Sequence, residues 1–286
     1  MCIRDRPSAD SFEREGRLRG LFSYPVPEFT WEHFYLGKNF TWQTSQWLDK
    51  FDLLLQEDRG SWGKYLGPLP KVILILDSII SDDHYWLRLE QAEQMDLTLV
   101  DQDRLERFPD SVRLSHCVND HLFRPRGNRD IDVNFRCANS KKVGDGTRLK
   151  LRMLFQDWAN EAGYNYVHKP LLPQPYAEDQ GSSKIVVNWP RTPDNRGHRV
   201  FNAMAGGACA VTGVLPKLSD EERTPGVHYI EVEHWEDMPK VCGDLLESGE
   251  WEEIADNGYK LAMEKHTWTV RAKELRQILN ERLGLG

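Results

Sequence analysis

The chain has 286 residues, of which 40% are hydrophobic and 29% charged, a composition typical of a globular protein and not of a collagen-like or disordered one. Its formal net charge of -8 argues against general binding to a nucleic-acid backbone, which usually requires a basic surface, and we expect no nucleic-acid partner. No apolar run approaches the ~20 residues that a membrane-spanning helix needs, so we expect no transmembrane segment.

The cysteine pattern bears on the cellular compartment. The five cysteines are odd in number and form no CxxC pair. This pattern favours a reducing, cytoplasmic location over a disulfide framework or a structural zinc site. At roughly 150 residues per domain, the length predicts two domains.

The first half carries three short apolar runs, at residues 51–55, 71–76 and 96–100, each ending at an acidic or polar residue. Runs without polar alternation are typical of buried parallel strands. Residues 84–95 have the length of a crossover helix, which predicts βαβ wiring. Residues 1–6 fit no later pattern, and no leading βα unit precedes the first strand, so we expect this N-terminal domain to be incomplete.

Proline, glycine and charged residues between 109 and 130 mark a linker, and we place the domain boundary between residues 7–126 and 127–286. A second βα series follows, with two helices closing the chain. Its predicted elements are strands at 131–135, 164–167, 184–187 and 208–212 and helices at 147–162 and 197–205. The whole pattern predicts an α/β protein made of two successive α/β units with parallel sheets and a cleft between the units.

Two of these helices have predicted buried faces. On the helix at 147–162 the apolar stripe consists of Leu151, Leu154, Phe155, Trp158 and Ala162, with Gly163 as the stop. The last helix begins after Thr267 as N-cap and buries Trp268, Ala272, Leu275 and Leu279.

Basic side chains are concentrated before the helix at 197–205, in a stretch that follows a buried strand. They are Arg191, Arg196, His198 and Arg199, grouped around Gly197. Cations are unfavourable at a helix amino end unless an anion offsets them, so this grouping predicts a bound phosphate approached closely by the backbone at the glycine. The alternative is a solvated loop whose arginines pair with carboxylates such as Asp179 or Asp194.

Four short sequence motifs occur in order in the second half of the chain. They are RVFNAMAGG at 199–207, PGVHY at 225–229, IADNGY at 254–259 and HTW at 266–268, the last followed by Arg271 and Ala272. With these motifs, residues 130–283 resemble the group 1 glycosyltransferases, in particular the branch related to spore-maturation glycosyltransferase-like proteins. The segment at 120–125 is a weaker echo of the same family. The resemblance implies the GT-B fold, in which two Rossmann-like domains with parallel sheets face each other across a cleft and the second domain holds most of the nucleotide-sugar.

The family has two acidic residues eight positions apart, the first contacting the donor sugar and the second the ribose hydroxyls. The matching positions here are Asp194 and Asn202, with Gly197 between them. Asn202 departs from the family pattern, since an amide hydrogen-bonds a hydroxyl but supplies no charge.

The resemblance implies glycosyl transfer from a nucleoside-diphosphate sugar to an acceptor of unknown identity, with no cofactor and no catalytic metal. Fixed donors aimed at the departing diphosphate then supply most of the catalysis. We expect the catalytic residues to be Asp194, His198 and Arg199. The expected donor-binding residues are Gly197, Asn202, Arg196, Arg148 and Lys141.

Other polar groups carry weaker hypotheses. Asp77, Glu57 and His84 lie at or after strand ends of the first domain and are candidates for a base on the acceptor side. Asp101 and Asp103 match a metal-binding DxD pattern, but such short acidic patterns are common and a helix cap is the favoured role of Asp103. The group His116, Cys117, Asp120 and His121 fits no zinc module. Two alternatives to an enzyme stay open: a non-catalytic nucleotide or sugar-phosphate binding module, and a two-domain regulatory protein.

Overall fold

The computed structural model describes residues 54–57, 70–75, 89–90, 92–100, 108, 110–115, 117–120, 122–135, 146–168, 173–190, 197–216 and 222–284. These residues fall into two compact units. One holds the described residues before Cys117 together with those from Arg271 onward, and the other includes Cys117–Val270. The domain boundary between residues 126 and 127 stays a prediction.

The first unit contains a four-stranded parallel sheet in the order β1-β2-β3-β4. The strands are β1 (Leu54–Glu57), β2 (Lys71–Ile75), β3 (Leu97–Val100) and β4 (Val112–Arg113). The three predicted strands are thus confirmed as parallel neighbours. The first extends to Glu57, beyond its predicted end at residue 55, and β4 was not predicted. Residues 89–90 and 92 are helical, within the predicted crossover helix.

The second unit contains a five-stranded parallel sheet in the order β6-β5-β7-β8-β9. Its strands are β5 (Ile131–Asn134), β6 (Tyr166–Val167), β7 (Ser183–Asn188), β8 (Cys209–Gly213) and β9 (Ile230–Val232). The described helices that begin in this unit are α1 (Thr147–Ala162), α2 (Pro173–Gly181), α3 (His198–Ala205), α4 (Met238–Ser248), α5 (Trp251–Lys265) and α6 (Trp268–Leu283). A short 3-10 helix (Trp235–Asp237) precedes α4.

Successive residues of β7 supply two separate cores, as the alternation of side chains along a strand requires. Ile185 packs in a core with Phe155 of α1 and side chains of α4. Val186 packs in the other core with Phe201 of α3 and side chains of α2. The sheet is therefore covered by helices on both faces, the arrangement expected when parallel strands read as continuous apolar runs.

Helix α1 has the predicted bounds, but its buried stripe is shorter than predicted. Leu151 and Phe155 are buried, and Leu154 and Trp158 are half-buried. Ala162 is exposed, so its predicted burial is wrong. It is the last residue before the left-handed glycine that ends the helix, where the chain turns away from the core.

The carboxyl-terminal region contains three helices, α4, α5 and α6, where the sequence predicted two. The last of them begins as predicted: the Thr267 hydroxyl accepts a hydrogen bond of 3.3 Å from the Val270 amide. Its four predicted core residues are all buried. None of the described helices is long and apolar enough to cross a membrane.

The two ends of the 117–270 segment are hydrogen-bonded to each other. Val118 forms a parallel bridge with Thr267. The Val118 amide donates to the His266 carbonyl at 2.8 Å, and the Trp268 amide donates to the Val118 carbonyl at 3.0 Å. The points at which the chain enters and leaves this unit are therefore fixed side by side.

Candidate functional site

The second sheet has a topological switch between β5 and β7. The chain goes from β5 through α1 to β6 on one side, and then through α2 to β7 on the other side of β5. In open parallel sheets the loops at such a switch leave the carboxyl edge in opposite directions and open a crevice that binds ligands. The segment with the predicted phosphate site follows β7 at this edge.

Helix α3 begins at the carboxyl edge of β7, and Gly197 is its N-cap. This glycine has φ 63° and ψ 51°, the left-handed conformation that glycine adopts most readily. Its carbonyl accepts a hydrogen bond of 2.6 Å from the Val200 amide, and the first turn of α3 contains no acidic residue. A helix amino end presents N–H groups and a positive partial charge, and no acidic residue within the first turn of α3 offsets that charge.

The ends of two strands support this N-cap. Asn188, the last residue of β7, donates from Nδ2 to Oγ1 of Thr212 in β8 at 3.0 Å, and both residues are buried. A Cβ placed on Gly197 would lie 3.2 Å from Nδ2 of Asn188 and 3.0 Å from Cδ2 of Leu215. The left-handed backbone and the crowded surroundings thus both require glycine at this position.

Arg199 occupies the first turn of α3. It is half-buried, and its Nε atom is buried with no hydrogen-bond partner. Within the part of the chain that the structure describes, no carboxylate forms an ion pair with it. A buried donor without a partner costs about 1–3 kcal/mol, which an incoming anion would recover. The site therefore contains a cation whose Nε hydrogen bond no described protein group satisfies.

The opposite side of α3 is held by planar side chains. The guanidinium of Arg223 lies 5.3 Å from the ring centre of Phe201, and the His266 ring lies 4.4 Å from the same ring. Arg223 and His266 are both buried. These contacts hold the middle of α3 against the end of α5 and the segment before β9.

Arg148 was predicted to bind the donor. In the structure its Nε and Nη2 atoms both donate to the carbonyl oxygen of Trp189, at 2.9 and 2.5 Å. The contact joins the first turn of α1, which follows β5, to the residue that follows β7. It therefore connects the two chain segments that leave β5 and β7 at the topological switch. Direct phosphate binding by Arg148 stays a prediction.

Asn202 lies on α3 and is buried. The side chain of His198 is outside the described residues, although its backbone begins α3. Glu57 is the last residue of β1, and its side chain is likewise outside the part of the chain that the structure describes. The remaining predicted site residues, all outside the described residues, are Asp194, Arg196, Lys141, Asp77 and His84, with Arg191 of the basic group.

The metal hypotheses receive no support from the described residues, among which no group of three or more His, Cys, Asp or Glu side chains is arranged to hold an ion. Four residues of the two candidate patterns, Asp101, Asp103, His116 and His121, are outside the described residues. Cys117 and Asp120 are described, and Cys117 is buried.

Sequence reasoning assigned no role to Asn188, Thr212 or Leu215, which hold the N-cap in place. A signal was present, since Asn188 and Thr212 are polar residues at the ends of two apolar strands. The carboxyl ends of parallel strands meet at one edge of a sheet, so such residues are candidates for a site. The contact between Leu215 and Gly197 had no comparable signal.

The family model described as "Glycosyl transferase-like" matches residues 122–277, more than half of the chain. Among solved structures, the chain is similar to sucrose-phosphate synthase from Thermosynechococcus elongatus, with 11% identity and a TM-score of 0.61 over 88% of this chain and 82% of that one. It is also similar to HepE of Anabaena in complex with UDP-glucose, with 12% identity and a TM-score of 0.57 over 74% and 72% of the two chains.

A third similar structure is that of TarM, with 12% identity and a TM-score of 0.56 over 74% of this chain. The chain spans half of the length of TarM. Comparison with curated proteins gave no match.

At these identities the likeness establishes the fold, and it confirms the α/β architecture of GT-B type that the sequence predicted. The extent of the family match establishes more than the fold. The chain belongs to the glycosyl transferase-like family.

Proposed function

We propose that the protein transfers a sugar from a nucleoside-diphosphate sugar to a hydroxyl group of an acceptor, and that the amino end of α3 binds the diphosphate. The family match and the donor complexes of similar structures, such as HepE with UDP-glucose, support this reaction class. The location of α3 at the switch of the second sheet agrees with the general position of ligands in open α/β folds.

The observation that carries the proposal is the combination of Gly197 and Arg199. The glycine lets the backbone approach a phosphate closely, and the helix amides present donors to it. Arg199 adds a positive charge whose buried Nε lacks a partner. Backbone amides, a helix dipole and a guanidinium group together form a site for a dianionic or more highly charged phosphate group.

The chemistry follows from where charge develops. An acceptor oxygen attacks the anomeric carbon as the bond between that carbon and the diphosphate oxygen breaks, and the acceptor hydroxyl loses its proton to a base. Negative charge grows on the leaving diphosphate, where Arg199 and the α3 amides would stabilise it. In this proposal these groups take the part that a metal ion plays in other glycosyltransferases. Asp194 and His198 keep their proposed catalytic roles, and Asp77, Glu57 and His84 stay candidates for the base.

Nucleotide binding is tested first, by thermal denaturation of the full chain with UDP, GDP or ADP. A ligand at about 100 times its Kd stabilises the folded state by roughly 2.7 kcal/mol, so one of the three should raise Tm measurably. Arg199→Ala should abolish this rise. Arg276→Ala, which removes an equally charged exposed side chain of α6, should keep it. An unchanged response of Arg199→Ala would contradict the phosphate site.

Turnover separates the enzyme from the alternative of a non-catalytic nucleotide-binding module. Asn202 favours that alternative, because it supplies no charge where the family has an acid. The protein is incubated with UDP-, GDP- and ADP-sugars, and release of the nucleoside diphosphate is measured with wild type and Arg199→Ala. Release by wild type alone supports the enzyme. Binding without release over the whole panel supports the binding module.

The partners in this proposal are the nucleotide-sugar and an acceptor with a free hydroxyl group. A cytoplasmic location and the absence of a nucleic-acid partner stay predictions from composition.

A further inference from the structure

A glutamate of β9 that neither the family motif nor the proposed reaction uses is hydrogen-bonded to the segment that supports α3. We infer that Glu231 is a positioning residue for the phosphate-binding end of α3, acting through Leu215. The inference rests on the proposed function, because the placement of that helix end matters for the reaction only if a phosphate binds there. It does not require Glu231 to touch the donor.

The first link is made by the carboxylate. Oε1 of Glu231 accepts a hydrogen bond of 3.1 Å from the main-chain amide of Leu215 and another of 3.0 Å from the hydroxyl of Tyr229. Leu215 lies just beyond the end of β8, where the sheet no longer fixes the backbone. A charged acceptor makes a stronger hydrogen bond than a neutral one, so the carboxylate holds a segment that the β-ladder leaves unpaired.

The second link is made by the side chain of Leu215. Its two methyl carbons lie 3.0 and 3.3 Å from the position of a Cβ on Gly197, so the leucine packs directly against the N-cap of α3. Leu215 is 2% exposed and belongs to the core that contains Val200 and Phe201 of α3. A shift of the Leu215 backbone would therefore be transmitted to the N-cap through close-packed atoms.

A parallel contact on the neighbouring strands completes the support. Thr212 is the register partner of Glu231 across β8 and β9. Its hydroxyl accepts the hydrogen bond from Asn188, whose Nδ2 also lies against Gly197. Glu231, Thr212 and Asn188 thus form a row of polar side chains across the carboxyl edge, from β9 to β7. Gly197 is supported both by Leu215, which Glu231 holds, and by Asn188, which Thr212 holds.

The consequence concerns the affinity for phosphate more than the stability of the fold. Fixed N–H groups bind an anion strongly because no reorganisation is needed when it arrives. Without the Glu231 carboxylate, the segment after β8 loses its acceptor and Gly197 loses a fixed neighbour. The helix would still form, but its first turn would fluctuate, and the site would bind a diphosphate less tightly.

The test compares Glu231→Ala with Glu231→Gln in the full chain. The glutamine keeps an oxygen that accepts both hydrogen bonds, whereas the alanine removes it. The matched control is Glu233→Ala, which removes an exposed glutamate two residues further along. Two quantities are measured on each folded protein: amide hydrogen exchange of peptides covering His198–Ala205, and Kd for UDP, GDP and ADP by calorimetry.

We expect the α3 amides to exchange faster in Glu231→Ala than in wild type. We also expect the Kd of this variant for the preferred nucleotide to be about tenfold higher. Glu231→Gln and Glu233→Ala should stay within about twofold of wild type. A residue with a merely structural role would lower Tm without changing the Kd of the folded protein. Unchanged α3 exchange and unchanged Kd in Glu231→Ala would overturn the inference.

The two proposals fail in different ways. If wild type binds none of UDP, GDP and ADP, the proposed function is wrong, yet the exchange of α3 still decides whether Glu231 holds the helix end. If Glu231→Ala does not fold, Tyr229→Phe takes its place, since it removes one of the two hydrogen bonds to the carboxylate. A smaller change in the same direction supports the inference, and no change in α3 exchange overturns it.

Discussion

The guanidinium group of Arg148 holds the main-chain carbonyl of Trp189 with two hydrogen bonds, from Nε at 2.9 Å and Nη2 at 2.5 Å. Arg148 lies in the first turn of α1, which follows β5, and Trp189 follows β7 directly. The contact therefore spans the switch of the second sheet. A planar fork on a single carbonyl fixes both the position and the direction of the chain that leads to the candidate phosphate site.

Replacing Arg148 should loosen this connection. We expect Arg148→Ala to lower the free energy of unfolding by about 1–2 kcal/mol, because hydrogen bonds to charged groups contribute roughly 1.5–3 kcal/mol and this one is only partly buried. Arg148→Lys should recover part of the loss, since an ammonium reaches the carbonyl without the fork. Urea denaturation measures the effect, with Lys150→Ala as an exposed control from the same helix. Equal stability of the alanine variant and wild type would contradict a structural role of the fork.

Gly197→Ala should be destabilising for two separable reasons. The left-handed backbone costs a side chain about 1–2 kcal/mol, and the new Cβ would lie 3.0–3.2 Å from Leu215 and Asn188. Gly249→Ala is a matched control, because Gly249 has φ 79° but open space around it. Chemical denaturation should therefore show a larger loss for Gly197→Ala. The same loss at both positions would mean that crowding at the N-cap is not significant.

Stability should fall in mild acid through His228. Burial lowers the pKa of His228, and its Nδ1 accepts a hydrogen bond of 3.0 Å from the Thr224 amide. The unfolded state, with a pKa of about 6.5, then binds the proton first as the pH falls. The contribution of His228 is present above that value and is lost as the pH falls through it towards the lower folded-state pKa.

Thermal denaturation between pH 8 and 5 measures this dependence. His228→Gln should show a smaller loss of Tm on acidification than wild type. Val227→Ala, in the same turn, carries no titrating group and should keep the wild-type dependence. A dependence in His228→Gln as steep as that of wild type would assign the acid sensitivity to other groups.

The thiols in the core of the second sheet should be chemically inert in the folded protein. Burial raises the pKa of Cys209 to about 12, and burial together with the nearby Cys209 raises the pKa of Cys242. Because the thiolate is the reactive form, neither should be alkylated by iodoacetamide at pH 8. Both should react after unfolding in urea. Mass spectrometry of the labelled peptides gives the result, and rapid labelling of either thiol in native protein would show that this core opens.

The second sheet could be predicted well wherever one local signal fixed an element. The bounds of α1 follow from its apolar period and from Gly163, and the unit of β7, α3 and β8 follows from two apolar runs separated by a glycine-bounded helix. These signals depend on neighbours in sequence alone. They also singled out Gly197 as the point where the backbone could approach a phosphate, although its left-handed conformation was not predicted.

Elements without such a local signal were missed. Helix α2 begins with the sequence PQP and shows little apolar period, and β4 has two residues that are only half-buried. Strand β9 has three residues and is formed by pairing with β8. Short strands of this kind exist because a neighbouring edge completes their hydrogen bonds, which a sequence window does not contain.

The position of Arg199 could be predicted from the sequence, but the contacts that support the candidate site could not. The placement of Arg199 on the first turn of α3 followed from the sequence, whereas the partner of Arg148 depended on how two connections meet in space. Glu231 lies on a strand that was not predicted, so its hydrogen bond to Leu215 could not be anticipated. Contacts between residues distant in sequence are set by register, and register is decided only when the sheet assembles.

The bridge between Val118 and Thr267 has a practical meaning for dissecting the molecule. The hydrogen bonds of Val118 with His266 and Trp268 hold the two ends of the 117–270 segment together. A polypeptide consisting of this segment would therefore have neighbouring termini. Adjacent termini are the condition under which a domain tolerates excision or circular permutation. Such a fragment would allow the proposed nucleotide binding to be measured on this segment alone.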